Sequence, residues 1–98
     1  MTVNFEKKDS VLTVKITDRL DTTTAPELER AVLEQLNGVE ELILDFSELV
    51  YISSAGLRVL LIFMKRMSAQ GSMKVIGVNE EINQVFQITG FDSILTIE

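Results

Sequence analysis

The first twenty residues show the alternation of apolar and polar positions that is typical of β-strands. Val3 and Phe5 alternate with polar residues, and Leu12, Val14 and Ile16 do the same after a short polar turn. Successive side chains of a strand point to opposite faces, so each segment can bury one face against a core. The pattern predicts an opening β-hairpin.

The next segment has the spacing of an amphipathic helix. Thr24 followed three residues later by Glu27 has the pattern of a capping box, and Gly38 is placed to end the helix. The apolar residues between them fall on one helical face. We therefore predict a first helix over residues 25–37.

A short apolar run at residues 42–44 lies between acidic residues, which is typical of a central strand covered on both faces. Asp45 is then expected at the carboxyl end of that strand. Val75 and Ile76 predict one further strand, and residues 94–95 form a last apolar segment.

Two more helices are predicted, one on each side of the strand at Val75. Ser53 or Ser54 can cap the first of them, and Asn79 can cap the second, which Gly90 would end. The buried stripe of the first helix has the i, i+3, i+4, i+7 spacing, and its methionines are interpreted as core residues and not as a cofactor site. This stripe consists of Leu60, Phe63, Met64 and Met67.

The order of elements, ββαβαβα with a tail, predicts an α/β fold. Strands separated by helices imply a largely parallel sheet, to which the opening hairpin adds an antiparallel edge. A chain of 98 residues fits one hydrophobic core. We expect a single domain over residues 1–98, with a mixed, mostly parallel sheet of four to five strands and helices packed against it.

The composition restricts the partners. A formal net charge of −6 disfavours nucleic acid and anionic membranes, which recruit Lys and Arg, so a protein surface is the expected partner. No apolar run approaches the roughly 20 residues that span a bilayer, and there is no cysteine, so we expect a cytoplasmic protein. Scattered carboxylates without a recognised spacing predict no metal and no cofactor.

The most informative stretch, residues 45–58, runs from a strand end through a loop into a helix. Sites in α/β sheets form beyond the carboxyl ends of strands. A helix start favours an anion, and a phosphate on a serine there would change any partner surface pressed against it. The alternative is that Ser53 or Ser54 is a helix cap and nothing more.

Three short segments resemble the anti-sigma factor antagonists of bacteria, which are members of the STAS domain family. They are Ile-Ser-Ser-Ala-Gly-Leu at residues 52–57, Leu-Asp-Phe-Ser at residues 44–47 and Arg-Leu-Asp-Thr at residues 19–22. The resemblance extends over nearly the whole chain. It implies the fold of that family, which agrees with the predicted order of elements.

The resemblance also implies a phosphorylation site. The usual loop of these antagonists reads Asp-Ser-Ser/Thr-Gly-Leu-Gly, and the serine after the aspartate, which a partner serine kinase modifies, corresponds to Ser54. This chain has Ser53 in place of the aspartate, Ala55 in place of the second hydroxyl residue and Arg58 in place of the second glycine. Ser53 is therefore a rival acceptor.

The implied mechanism is partner switching. The unphosphorylated protein would bind an anti-sigma factor that has a kinase-type ATP site, which frees a sigma factor. Phosphorylation would reverse this binding, and a serine phosphatase of the metal-dependent class would restore the active form. The expected partner-binding residues are Asp21, Thr22, Asp45, Ser53, Ala55, Gly56, Arg58 and Ile62.

Three of these residues have a second interpretation. Asp21 and Asp45 are expected to face the Ser54 loop, but both could serve only to form turns or caps. Ile62 lies among basic residues opposite the buried stripe of its helix, so it either contacts a partner or is a lone exposed isoleucine.

Two other functions compete with the switch. Ser54 could be an enzyme nucleophile, but the chain has no histidine, no Gly-x-Ser-x-Gly motif and no lysine close to the serine, so we predict that it is not an enzyme. The second alternative is a stand-alone STAS interaction or nucleotide-sensing module that acts on a non-sigma signalling target.

Overall fold

A computed structural model describes residues 1–98 and contains one four-stranded sheet with three α-helices. The sheet order is β1-β2-β3-β4; β1 is antiparallel to β2 and the other two pairs are parallel. This confirms the predicted α/β fold class with its opening hairpin. None of the helices is both long and apolar enough to cross a bilayer. The elements are β1 (Thr2–Lys8), β2 (Val11–Leu20), α1 (Ala25–Leu33), β3 (Glu41–Ile52), α2 (Ser54–Ser68), β4 (Ser72–Ile76), α3 (Glu80–Thr89) and a 3-10 turn (Phe91–Ser93).

The helices cover one face of the sheet, and a single cluster of 23 buried apolar residues fills the space between. Along β3, Leu42, Leu44 and Phe46 are fully buried, whereas Ile43 and Asp45 between them are only half-buried. The prediction that this strand is covered on both faces is therefore wrong. Its short apolar run reflects one buried face together with a partly shielded isoleucine on the other.

The first helix is shorter than predicted. α1 ends at Leu33, and the turn that follows is tightened by hydrogen bonds from the Gln35 amide to the Val32 carbonyl at 2.9 Å and from the Leu36 amide to the Leu33 carbonyl at 3.4 Å. Leu36 stays fully buried in that turn. The apolar spacing therefore continues past the end of the helix, which explains why the sequence predicts a longer one.

The third strand is longer than predicted, so the placement of Asp45 at its carboxyl end is wrong. β3 continues to Ile52, which pairs with Leu20 at the end of β2, whereas β4 already ends at Ile76 opposite Asp45. The Asp45 carboxylate accepts a hydrogen bond from the Ser47 amide at 2.9 Å, next to a register shift between β2 and β3. Polar residues that indicate a strand end in the sequence mark a bulge within the strand.

The last helix begins and ends where the sequence predicts. The Asn79 side chain caps α3 by accepting a hydrogen bond from the Ile82 amide at 2.8 Å. Gly90 ends the helix with a φ of 82°, which glycine adopts without strain. Beyond the 3-10 turn, Ile97 forms a parallel bridge with Val75, so the tail extends the sheet at its β4 edge.

Candidate functional site

The carboxyl ends of β2 and β3 lie side by side. Leu20 pairs with Ile52, and the Ser53 amide donates a hydrogen bond to the Leu20 carbonyl at 2.9 Å. Because the two strands are parallel, the loop after β2 and the start of α2 leave the sheet at the same place. We call residues 19–24 and 50–58 the β2–β3 edge, and it contains most of the predicted site residues.

The two candidate serines differ in accessibility. Ser54 is the first residue of α2 and is exposed. Ser53 occupies the N-cap position, but its hydroxyl oxygen is buried and forms no hydrogen bond, so it does not cap the helix. An enzyme that modifies a serine must reach its hydroxyl oxygen. In this structure Ser54 is an exposed residue, whereas the hydroxyl oxygen of Ser53 is buried.

The start of α2 is arranged to accept negative charge at Ser54. The first hydrogen bond of the helix runs from the Leu57 amide to the Ser53 carbonyl at 3.0 Å. The amides of residues 54–56 come before it, so they have no partner within the helix. No acidic residue lies in this first turn. The partial positive charge of the helix start is therefore not offset by a carboxylate of the same turn.

Gly56 allows the first turn of α2 to lie directly against the end of β2. A Cβ atom at this position would be 2.8 Å from the Ile52 Cγ1 atom, 2.9 Å from the Leu20 Cγ atom and 3.0 Å from the Leu20 carbonyl oxygen. Gly56 is also buried. Contrary to the prediction, it presents little surface to a partner, and its missing side chain allows the start of α2 to pack against the end of β2.

Asp21 organises the loop between β2 and α1. Its carboxylate accepts hydrogen bonds from the Thr23 amide at 3.0 Å and the Thr24 amide at 3.1 Å, and the Arg19 guanidinium lies 3.5 Å away. The bond from the Thr24 amide is the main cause that lowers the pKa of Asp21. The Thr24 hydroxyl bonds to this loop and not to the helix. The predicted capping box with Glu27 is therefore wrong, and the contacts of Asp21 match the turn-forming interpretation.

A shallow groove of about 280 Å³ brings three predicted partner-binding residues together. Thr22, Ala55 and Arg58 line it between the starts of α1 and α2. Pro26 and Glu29 of α1 line the same groove, although no motif in the sequence marks them as site residues. Their position depends on how α1 packs against α2. No local sequence motif predicts how these two helices pack.

Two predicted residues lie away from Ser54. Asp45 is seven residues before the end of β3, which at ~3.3 Å per residue is roughly 20 Å along the strand. It lines a different surface cavity, with Thr13 and Lys15, so the prediction that it faces the Ser54 loop is wrong. Ile62 lies two turns along α2, is half-buried and does not belong to the hydrophobic core cluster. Its contact with a partner stays a prediction.

An apolar ridge, formed by Val50 and Tyr51, lies just before Ser54 in the chain and is not predicted by the sequence. Val50 and Tyr51 are consecutive and both exposed, at 57% and 41%, although an undistorted strand would bury one of them. Both side chains are exposed because of a register shift between β2 and β3, and no feature of the sequence predicts this shift. The Arg19 guanidinium lies 4.2 Å from the centroid of the Tyr51 ring, which is a cation–π contact.

Sequence comparison with known proteins identifies the family. The sequence profile of the STAS domain matches residues 2–98. The chain is 32% identical over 99 residues to BtrV of Bordetella bronchiseptica, a candidate anti-sigma factor antagonist, and the match covers 99% of this chain and 85% of BtrV.

Solved structures share the fold. The crystal structure of a candidate anti-sigma factor antagonist from Thermotoga maritima superposes with a TM-score of 0.90 at 22% identity, covering 97% of this chain and 84% of the other. SpoIIAA of Bacillus in its phosphorylated form superposes with a TM-score of 0.77 at 17% identity, covering 99% and 91%. At these identities the likeness establishes the architecture alone.

Proposed function

This chain belongs to the STAS domain family, and from that premise we propose that it is an anti-sigma factor antagonist controlled by phosphorylation of Ser54. The observation that carries the proposal is the exposure of Ser54 at the start of α2, beside a Ser53 hydroxyl that is buried. In the proposed cycle the unphosphorylated protein binds an anti-sigma factor that is also a serine kinase. Phosphorylation of Ser54 releases the anti-sigma factor, and the protein thereby controls transcription indirectly.

The chemistry requires only an accessible hydroxyl on this chain. The Ser54 hydroxyl oxygen forms a bond to the γ-phosphorus of ATP, the bond from that phosphorus to ADP breaks, and the hydroxyl proton passes to a base of the kinase. In this proposal the base belongs to the partner kinase, and the role of the chain is binding without catalysis. A serine phosphatase of the metal-dependent class removes the phosphate by hydrolysis.

The phosphate is expected to alter binding more than folding. It adds a charge of about −1.5 to −2 at a helix start whose dipole and free amides stabilise an anion. The same charge would stand beside the groove of Thr22, Ala55 and Arg58 and beside the ridge of Val50 and Tyr51. A partner that fits the unmodified surface would meet both added volume and added charge.

The proposed partner is a protein in the cytoplasm, where sigma factors act. The net charge of −6 supports a protein partner over nucleic acid or an anionic membrane. The apolar ridge and the groove supply neighbouring surfaces of the kind that protein partners bury. The docking surface therefore includes Thr22, Ala55 and Arg58, with Ile62 further along α2.

The test is calorimetric titration of an anti-sigma factor/serine kinase from the source cells with three proteins: the unmodified chain, the chain with phosphoserine at position 54, and Ser54→Asp. We expect phosphoserine to weaken binding by about tenfold or more, which corresponds to about 1.4 kcal/mol, and Ser54→Asp to weaken it in the same direction. Ser93→Asp is the matched control, because it adds the same charge at an exposed serine of the 3-10 turn.

Equal affinity of a folded phosphoprotein and the unmodified chain would contradict the charge switch. If the unmodified chain binds no kinase of this class, the alternative function, a stand-alone STAS module acting on a non-sigma target, takes its place.

A further inference from the structure

Ser54 and Arg58 lie on the same face of α2. Residues four apart in a helix are neighbours one turn away from each other, and both side chains are exposed. The serine comes first in the chain. A negative group N-terminal to a positive one is the more favourable order in a helix, because it also matches the helix dipole.

Arg58 has no charged partner in the unmodified protein. The three ion pairs of the structure are Lys15 with Glu48, Arg19 with Asp21, and Lys74 with Glu98.

Arg19, the other cation of the β2–β3 edge, already has contacts in the unmodified protein. Arg19 contacts the Asp21 carboxylate and the Tyr51 ring at the same time. Glu29 lines the groove with Arg58, but the two form no ion pair. Arg58 is therefore the cation at this edge that can turn to a new anion without breaking an existing contact.

We propose that Arg58 is the intramolecular partner of a phosphate on Ser54. This inference rests on the proposed function, in which Ser54 carries the phosphate. The planar guanidinium group can donate two parallel hydrogen bonds to phosphate oxygens, which a lysine ammonium cannot reproduce in the same geometry.

The pairing gives phosphorylation a second effect on the docking surface. In the unmodified protein the Arg58 guanidinium is free to meet a partner at the groove that it lines with Thr22 and Ala55. After phosphorylation it is held against Ser54. One modification thus adds a negative group to the surface and withdraws a positive group from it.

The test uses the full chain with phosphoserine installed at position 54 during synthesis, so no kinase is required. The second pKa of the phosphate is measured by ³¹P NMR titration in the native background and in Arg58→Ala, Arg58→Lys and Arg30→Ala. A nearby guanidinium favours the doubly charged phosphate, so we expect its pKa to be lower with Arg58 than with Arg58→Ala by about half a unit or more. The phosphate pKa in Arg58→Lys should lie between the values for the native background and for Arg58→Ala.

Arg30→Ala is the matched control, because Arg30 is an exposed arginine of α1 that lines a different cavity. It should leave the phosphate pKa unchanged. Equal pKa values with and without Arg58, or an equal shift on removing Arg30, would overturn the proposal. Either result would leave the proposed switch standing, whereas failure of a kinase to modify Ser54 would refute the switch and leave this measurement valid.

Discussion

Gly56→Ala tests how the start of α2 is held against the sheet. The added Cβ atom would lie 2.8 to 3.0 Å from the Ile52 Cγ1 atom, the Leu20 Cγ atom and the Leu20 carbonyl oxygen. These distances are about 0.5 to 1 Å shorter than an optimal contact between carbon atoms. The Leu20 carbonyl cannot move freely, because it also accepts the hydrogen bond from the Ser53 amide.

The expected change in stability is the difference between two opposing effects. Overpacking of this kind typically destabilises a protein by about 1–3 kcal/mol. Replacing glycine by alanine within a helix stabilises it by up to about 1 kcal/mol. Because one of the three contacts is with a hydrogen-bonded backbone carbonyl, we expect an overpacking cost of about 2–3 kcal/mol and therefore a net loss of about 1–2 kcal/mol in the free energy of unfolding. For a domain of this size each kcal/mol lowers the melting temperature by about 4–8 °C.

Urea unfolding followed by circular dichroism measures this loss, with Ser54→Ala as the matched control two residues away. Ser54 is an exposed residue at the first position of α2, so the control should change the stability by no more than about 0.5 kcal/mol. An alanine variant as stable as the native protein, or more stable, would refute the conclusion that Gly56 is required by this close approach.

Two further predictions concern charge and partner contact. Asp21 has a lowered pKa in the folded protein, so its stabilising effect is present above the unfolded pKa of about 3.9 and is lost as the pH falls through the lower folded value. The stability difference between the native protein and Asp21→Asn should therefore be larger at pH 7 than at pH 3 in urea unfolding, and a pH-independent difference would contradict it. Ile62→Glu should weaken the partner complex and change the melting temperature little, because Ile62 lies outside the core cluster. Leu60→Ala, at a fully buried position, should destabilise by about 2–5 kcal/mol, and a similar loss for Ile62→Glu would show that Ile62 is a core residue.

Local signals made much of the fold predictable. The hairpin follows from alternation in two adjacent segments, and the bounds of α3 follow from Asn79 and Gly90, whose side chain and backbone act within a few residues. The long third strand was not predictable in this way. Its second half pairs with β2 beyond a bulge, and the polar residues at that bulge resemble the end of a strand.

The candidate site, like the fold, could be predicted from the sequence only in part. Ser54 is predictable as a candidate site because a helix start and a family motif are both local features of the chain. The difference in accessibility between Ser53 and Ser54 needs the structure, because burial of the Ser53 hydroxyl depends on three-dimensional packing. The groove with Pro26 and Glu29 needed it as well, since it forms only where two helices meet.

The central claim is that Ser54 is the modified residue, and peptide mapping by mass spectrometry tests it most directly. The native protein and Ser54→Ala are each incubated with ATP and an extract of the source cells, and a known antagonist serves as the positive control. The proposed switch predicts one phosphate on Ser54 in the native protein and none in the variant. A phosphate on Ser53, or none under conditions that modify the positive control, would contradict it.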